Sequence, residues 1–177
     1  MTQKRPQTSD YAPFYANYVL QVPNGDFVDI LETQQRDLTL MLDSLSEKQA
    51  DFRYQPGKWS IKEVLGHIND AERIFSYRLL RIARGDQTPL PGFEQDDYIQ
   101  TANSSARKLF SLLEEFAAIR GASLALIRSL DDASFLRRGT ASGKEISALA
   151  IAFILAGHAL HHQKILREKY LPALLAN

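Results

Sequence analysis

The stretch SIKEVLGHINDAERIFSYRLLRIARG, residues 60–85, has the pattern of one long helix. Ser60 and Glu63 have the spacing of a capping box, in which each side chain bonds to a backbone amide of the first turn. Gly85 is typical of the position that follows a helix. The apolar residues between them recur every three or four positions, as on one helical face: Ile61, Val64, Leu65, Ile68, Phe75, Leu79 and Ile82. We therefore predict a helix of about 25 residues.

Three further segments share this periodicity. We predict helices over residues 26–45, with Asp26 as the N-cap, over residues 98–130, with a weak point at Gly121, and over residues 145–170, ending before Pro172. The segment 85–97 contains two prolines and two glycines, and we expect a crossover connection or functional loop there. Residues 131–145 form a polar connection. No run alternates cleanly, so the prediction is an all-α four-helix bundle with a crossover connection.

Length and composition indicate one globular domain over residues 1–177. Residues 1–25 are rich in tyrosine, proline and asparagine, and we expect an ordered N-terminal arm that lays aromatic rings on the body. A chain of this length can bury roughly 70% of its unfolded surface, so it needs no metal or disulfide to fold. Cysteine is absent, which excludes disulfides, a thiolate nucleophile, cysteine-ligated zinc and iron–sulfur clusters.

Charge and hydropathy exclude two classes of partner. The chain has 21 basic and 21 acidic residues, without the basic excess of a nucleic-acid-binding protein, so no nucleic-acid partner is expected. The polar N-terminus has no apolar signal core, and the longest apolar run, residues 146–157, is shorter than the ~20 residues that span a bilayer. We therefore expect a cytoplasmic protein that does not interact with membranes.

The four histidines are the strongest indication of chemistry. His158 and His162 are four residues apart, so both imidazoles lie on one helix face and can reach a single cation. His67 lies at the edge of the apolar stripe of residues 60–85 and can face the same core. A lone histidine is more often a structural residue. Together, the three predict a metal site between helices that leaves a position open for water or substrate.

His161 is the ambiguous member of this group, because it lies three residues after His158 and could replace His162 as a ligand. We prefer His162, since His161 is rotated by about 100° from it around the helix. Ala159 stands where the glutamate of an H-E-x-x-H metalloprotease would be. No acidic residue lies three positions before a histidine of residues 145–170, so a mononuclear site is favoured over a di-iron one.

Asp70 and Glu72 follow His67 by about one turn. They are the candidates for orienting an imidazole or for transferring a proton, and are thus the candidate catalytic residues. The alternative is a solvated helix face on which they pair with Arg73.

Residues 59–86 and 139–172 resemble the two hallmark regions of the DinB-like superfamily of metal-binding four-helix bundles, which includes the YfiT-type metal-dependent hydrolases and thiol transferases. Residues 18–35, YVLQVPNGDFVDILETQQ, resemble its common beginning. In that family one histidine of the second helix and an H-x-x-x-H pair of the last helix hold a divalent ion. The resemblance thus assigns the metal to His67, His158 and His162. Imidazole ligands suit zinc or nickel first, with manganese and iron as alternatives.

The resemblance also limits the activity. Characterised members include bacillithiol S-transferases, mycothiol-dependent isomerases and domains of ergothioneine-pathway enzymes. Their common chemistry is a metal that lowers the pKa of a low-molecular-weight thiol or water, so that the anion attacks an electrophile. The resemblance therefore implies a homodimer that acts on a small-molecule substrate, either as a hydrolase or as an S-transferase with a low-molecular-weight thiol as cosubstrate. The alternative is a non-catalytic metal-binding or interaction bundle, whose metal site would be closed and four-coordinate.

Overall fold

The computed structural model describes residues 4–175, in which long helices surround a central one. The helices are α1 (Ala16–Gln21), α2 (Phe27–Leu42), α3 (Glu47–Ala50), α4 (Ile61–Ala83), α5 (Gln95–Thr101), α6 (Leu109–Arg128), α7 (Asp132–Leu136), α8 (Ala148–Ile165) and α9 (Leu171–Leu175). Strands β1 (Arg138–Ala141) and β2 (Lys144–Ser147) precede α8. Helices α2, α4, α6 and α8 form the four-helix bundle. The predicted all-α fold is confirmed, with one small hairpin added.

The predicted capping signals form. The Ser60 side chain accepts a hydrogen bond from the Glu63 amide, and the Glu63 carboxylate accepts one from the Ser60 amide. The Asp26 carboxylate accepts hydrogen bonds from the amides of Val28 and Asp29. Each cap satisfies amides that would otherwise lack a partner at a helix start, and so sets where α4 and α2 begin.

The single helix predicted over residues 98–130 is wrong. The chain forms α5, which already begins inside the segment predicted to be irregular, and then α6, which passes through Gly121 without a break. The interruption lies at Asn103, whose φ of 54° is left-handed and cannot continue a helix. The next residue, Ser104, is buried against Gly66 of α4, where a β-carbon would come within 2.2 Å of the serine hydroxyl.

The polar connection predicted over residues 131–145 contains α7 and an antiparallel hairpin. Strands β1 and β2 pair with Arg138 opposite Ser147, and Ser142 and Gly143 turn the chain with positive φ. Leu90 bridges to Ala141, which attaches the crossover segment to the hairpin. Four-residue strands are too short for alternation to distinguish them from a loop.

Both ends of the last predicted helix are also wrong. Helix α8 begins at Ala148, because residues 144–147 belong to β2, and Ser147 caps it. Helical structure does not stop before Pro172. A π-helical segment, Leu166–Tyr170, leads into α9, whose second residue is Pro172. Proline has no N–H to donate to the preceding turn, and the chain changes from α-helical to π-helical geometry in that turn.

A layer of buried polar side chains crosses the bundle between two apolar clusters. On α2, Gln34 lies between the buried residues Leu31 and Leu38, and on α6 the fully buried Arg120 lies between Phe116 and Leu124. We define the polar layer as Gln34, Glu72, Arg120 and Gln163.

Hydrogen bonds within the polar layer join all four helices of the bundle. Arg120 of α6 binds both carboxylate oxygens of Glu72 on α4, at 2.7 and 2.8 Å. It also donates to the Gln34 side-chain oxygen on α2 at 3.1 Å. Gln163 of α8 donates to the Gln34 carbonyl at 2.7 Å.

The N-terminal arm packs directly on α8. Val19 and Tyr11 are buried, whereas Phe14 is exposed. Helix α1 lies so close to α8 at Gly157 that a β-carbon there would come within 2.0 Å of the Tyr18 carbonyl oxygen. Glycine is therefore required at this position by the contact between two backbones. Among the described helices, none is long and apolar enough to cross a membrane.

We predict that Gly157→Ala lowers the free energy of unfolding by about 1–3 kcal/mol, because the arm must move away from α8. Gly121→Ala is the matched control, since its β-carbon would meet open space within α6. That control should raise stability by about 0.5–1 kcal/mol, the usual gain of alanine over glycine inside a helix. Urea denaturation measures both. Equal effects of the two substitutions would contradict the close contact.

Candidate metal centre

Three imidazoles converge between α4 and α8. His67, His158 and His162 each offer a ring nitrogen, and these nitrogens all lie within 4.8 Å of one another. The Nε2 atoms of His67 and His158 are 2.9 Å apart. All three side chains are buried, with 3–8% of their surface exposed. The structure therefore brings together the three histidines that the sequence selected.

Helix geometry explains the convergence. His158 and His162 lie one turn apart on α8, with ring centroids 4.6 Å apart. The ring centroid of His67, on α4, lies 4.8 Å from that of each of these two histidines, in an edge-to-face arrangement. Helices α4 and α8 pack closely against each other. The two histidines of α8 and the single histidine of α4 therefore meet between these helices.

His161 lies on the neighbouring face of α8 and outside this cluster. Its ring packs edge-on against Tyr18 of the arm, at 5.4 Å, and against His162, at 5.1 Å. It is only partly buried. This placement agrees with the rotation around the helix that separated it from His162 in the sequence.

The surroundings of the three imidazoles keep them neutral. Burial lowers the pKa of His67 to about 4, with a smaller contribution from His161. Burial also lowers the pKa values of His158 and His162 well below 6.5, and the neighbouring imidazoles add to the effect. A neutral imidazole has a free nitrogen lone pair, which is the form that coordinates a metal.

The donor set fits one divalent ion. Metal–nitrogen bonds of about 2.0–2.1 Å at tetrahedral angles place two ligand nitrogens about 3.4 Å apart. The observed separations, from 2.9 Å up to 4.8 Å, bracket this value. In residues 4–175, neither ring nitrogen of His162 has a protein hydrogen-bond partner, and no carboxylate joins the three histidines as a fourth ligand. The residues can thus supply three nitrogens and leave a position open.

The two candidate carboxylates lie apart from the histidines. Glu72 is part of the polar layer, where Arg120 occupies both of its oxygens. Asp70 is half-buried near Arg73 and Glu115, and burial raises its pKa while Arg73 opposes that shift. The pairing of Asp70 with Arg73 was the alternative considered from the sequence. Glu72 instead serves the packing of the bundle.

A cavity of about 460 Å³ opens onto His67 and His158. Its apolar lining comes from aromatic rings of three separate segments, including Tyr18 of the arm, Phe75 of α4 and Phe93 of the crossover segment. Tyr18 and Phe75 each pack edge-on against His158, at 5.5 Å. The arm and the crossover segment therefore shape the space in front of the imidazoles.

A second cavity, of about 350 Å³, reaches His162 from another side. Trp59, Tyr54 and Tyr170 line it. The Trp59 ring also lies 4.9 Å from that of His67. The histidine cluster is thus accessible from two directions.

Arg78, which lines the cavity of about 460 Å³ together with His67 and His158, was not predicted from the sequence. A signal for it was present. Arg78 follows His67 by eleven residues, and at about 100° per residue this spacing returns to within about 20° of the same helix face. Tyr18 was predicted to lie on the N-terminal arm, but the sequence does not show where that arm docks. The contact between Tyr18 and His158 could therefore not be predicted.

Comparison with known proteins identifies the family. The sequence model of the DinB superfamily matches residues 30–166. The Bacillus subtilis protein named "Putative metal-dependent hydrolase YfiT" is 24% identical over 140 residues, which cover 77% of this chain and 78% of that protein. An Oceanobacillus iheyensis protein that is also named as a metal-dependent hydrolase is 27% identical over 157 residues. The match covers 81% of this chain and 87% of that protein.

The solved structure of Bacillus subtilis YfiT, described as having an unusual four-helix bundle topology, superposes with a TM-score of 0.73. The match covers 93% of each chain at 18% identity, and so shows a common fold. The matched family region contains α4 and α8 and, with them, the three converging histidines. Because the family model matches more than half of the chain, the chain belongs to the DinB superfamily.

Proposed function

We propose that this protein is a divalent-metal-dependent enzyme in which His67, His158 and His162 hold the ion. The observation that carries the proposal is the convergence of three buried, neutral imidazoles at a cavity open to a small molecule. The Nε2 atoms of His67 and His158 can share one hydrogen bond at 2.9 Å, whereas the His162 ring has no hydrogen-bond partner in residues 4–175. A buried imidazole without a partner is a costly polar group. A shared cation satisfies all three.

The three-histidine set supports a catalytic site rather than a closed structural one. Catalytic zinc sites have three protein ligands and an open position, whereas structural sites have four protein ligands. A bound ion there lowers the pKa of a coordinated water or thiol and so supplies a nucleophile at neutral pH. The chain itself holds the imidazoles in place, and the rings of Tyr18, Phe75 and Trp59 restrict water around them.

Hydrolysis and thiol transfer are the two candidate reactions, and they differ in the nucleophile. The names of the relatives favour hydrolysis. Thiol transfer is proposed from the resemblance to characterised family members. Because the chain has no cysteine, the thiol would have to come from a small cosubstrate. The cavity of about 460 Å³ suits a small-molecule substrate in either case.

We propose zinc or nickel as the ion, because imidazole ligands suit both, with manganese and iron as alternatives. A homodimer and a cytoplasmic location remain predictions from the sequence. The non-catalytic bundle remains the competing hypothesis, and the experiment below separates it from an enzyme.

We expect untagged protein, purified without a metal-affinity column, to contain about one divalent ion per chain by elemental analysis. His67→Ala, His158→Ala and His162→Ala should each lose it, because two imidazoles bind an ion far more weakly than three. His161→Ala is the matched control and should retain the metal, since its ring lies outside the cluster. Metal retention in all three cluster variants would contradict the assignment.

The same proteins test the reaction. Loaded parent protein is incubated with small activated esters and with alkylating electrophiles, each with and without a low-molecular-weight thiol. We expect turnover in the parent and in His161→Ala, and none in the cluster variants. Product formed without thiol identifies hydrolysis, and product that requires thiol identifies transfer. Stoichiometric metal without any turnover would favour the non-catalytic bundle.

Neutral buried imidazoles also predict how stability depends on pH. The pKa of His67 is lowered from 6.5 to about 4, so between these values the unfolded chain binds more protons than the folded one. The stability from this group is therefore complete above about pH 6.5 and is lost as the pH falls toward 4. We expect the melting temperature of metal-free protein to fall from pH 7 to pH 5.

His67→Gln removes one titrating group and should make this fall shallower. His161→Gln is the control with a smaller effect, because His161 is only partly buried. Carboxylates with lowered pKa values, such as Glu63 and Asp86, contribute only below about pH 4.5, their range in an unfolded chain. A melting temperature that stays constant from pH 7 to pH 5 would show that the imidazoles are not held neutral.

A further inference from the structure

We propose that Arg78 binds a carboxylate of the substrate, at the end of the larger cavity away from the histidines. This inference rests on the proposed function, in that the cavity in front of the metal ligands takes the substrate. It assigns a charge to that substrate, which the histidine cluster by itself does not.

Arg78 is a buried cation that has no counter-ion among the residues that the structure describes. Only 4% of its surface is exposed. Its guanidinium donates two hydrogen bonds, to the Pro91 carbonyl at 2.6 Å and to the Ser142 hydroxyl at 3.1 Å, and both acceptors are neutral. The Phe93 ring lies 5.9 Å from it. In residues 4–175, Arg78 makes no ion pair with a carboxylate, and its hydrogen bonds are the two to Pro91 and Ser142.

Arg78 lines the cavity, and one of its three guanidinium nitrogens makes all of its hydrogen bonds to described residues. Both hydrogen bonds come from Nη2, so Nε and Nη1 make no hydrogen bond to any described residue. Neither nitrogen is among the described buried atoms that lack a partner, so neither is fully sealed from solvent. Each can donate a charge-assisted hydrogen bond to one oxygen of a carboxylate while Nη2 stays bound to Pro91 and Ser142.

The other arginine of comparable burial shows what a purely structural guanidinium requires. Arg120 is fully buried, and Glu72 neutralises it through two hydrogen bonds. A buried charge is costly unless it is paired, and the neutral partners of Arg78 do not pair its charge. An anionic ligand would neutralise the charge of Arg78, as Glu72 neutralises that of Arg120.

The position of Arg78 sets where the carboxylate lies. Arg78 is on the same face of α4 as His67 and three turns further along, a rise of about 16 Å between their α-carbons. Helical side chains lean toward the N-terminus, so the Arg78 side chain leans back toward His67. Phe75 lines the cavity between them. The substrate should therefore have a carboxylate, an apolar middle and a reactive end several bonds away.

Two other charged residues line the cavity, and the basic one, Lys144, provides a control. Lys144, on β2, and Glu94 are both exposed. An exposed charge is screened by salt and selects weakly between ligands. If general attraction to positive charge were responsible, Lys144 would contribute as much as Arg78. If Arg78 only held the crossover segment against the hairpin, the protein would show no preference for an acid.

The test compares 6-mercaptohexanoate with the neutral 6-mercaptohexan-1-ol, two thiols of equal length. Both are titrated into cobalt-loaded protein, and the absorption of the thiolate–cobalt bond measures the dissociation constant. We expect the acid to bind about 10- to 100-fold more tightly, the range for a hydrogen-bonded charge. Arg78→Gln should reduce this preference to about 2-fold or less while leaving the alcohol's constant unchanged. Lys144→Gln should keep the preference.

A second measurement on the parent protein covers the case in which Arg78→Gln disturbs the crossover segment. In ¹⁵N-labelled protein, the acid should shift the Arg78 Nε–H resonance, and the alcohol should not. Equal affinity of acid and alcohol in the parent, or a preference that disappears in Lys144→Gln, would overturn the proposal. Failure to bind cobalt would instead overturn the metal site, so the two failures are distinguishable.

Discussion

The ion pair between Arg120 and Glu72 is the interaction on which the rest of the structure depends. Arg120 is fully buried, and all three of its hydrogen-bond partners lie on other helices, Glu72 on α4 and both Gln34 and the Leu31 carbonyl on α2. Breaking one side of such a pair costs about 3–5 kcal/mol, because the other charge is left buried and unpaired. A shift of any helix by one turn would break it. The polar layer therefore determines the register of the bundle.

That register in turn places the histidines. Glu72 and His67 lie little more than one turn apart on α4, and Gln163, which binds Gln34, directly follows His162 on α8. The contacts that align α4 with α8 thus also align one imidazole with two. The bundle contains two sets of buried polar side chains, the polar layer and the histidine cluster, and they differ in how their polar atoms are satisfied. In the polar layer every charge has a protein partner, whereas the His162 ring has no hydrogen-bond partner among the described residues.

The features that were predicted correctly are those that depend on residues close together in the sequence. The capping box at Ser60, the helix α4 that follows it and the spacing of His158 and His162 are local patterns, and all appear in the structure. The break at Asn103 was missed because tertiary contact with Gly66 sets it. A glutamate such as Glu72 is expected on the surface when only the sequence is known. It is buried because Arg120, 48 positions further along the chain, pairs with it.

The most direct test of this account is X-ray absorption spectroscopy at the metal edge of zinc-loaded protein. The account predicts three imidazole nitrogens at about 2.0–2.1 Å and one further light-atom ligand that is replaced by sulfur when a thiol is added. A sphere of four protein ligands that no thiol alters would contradict it, because the site would then be closed and structural. Fewer than three imidazoles would contradict the assignment of His67, His158 and His162 to one ion.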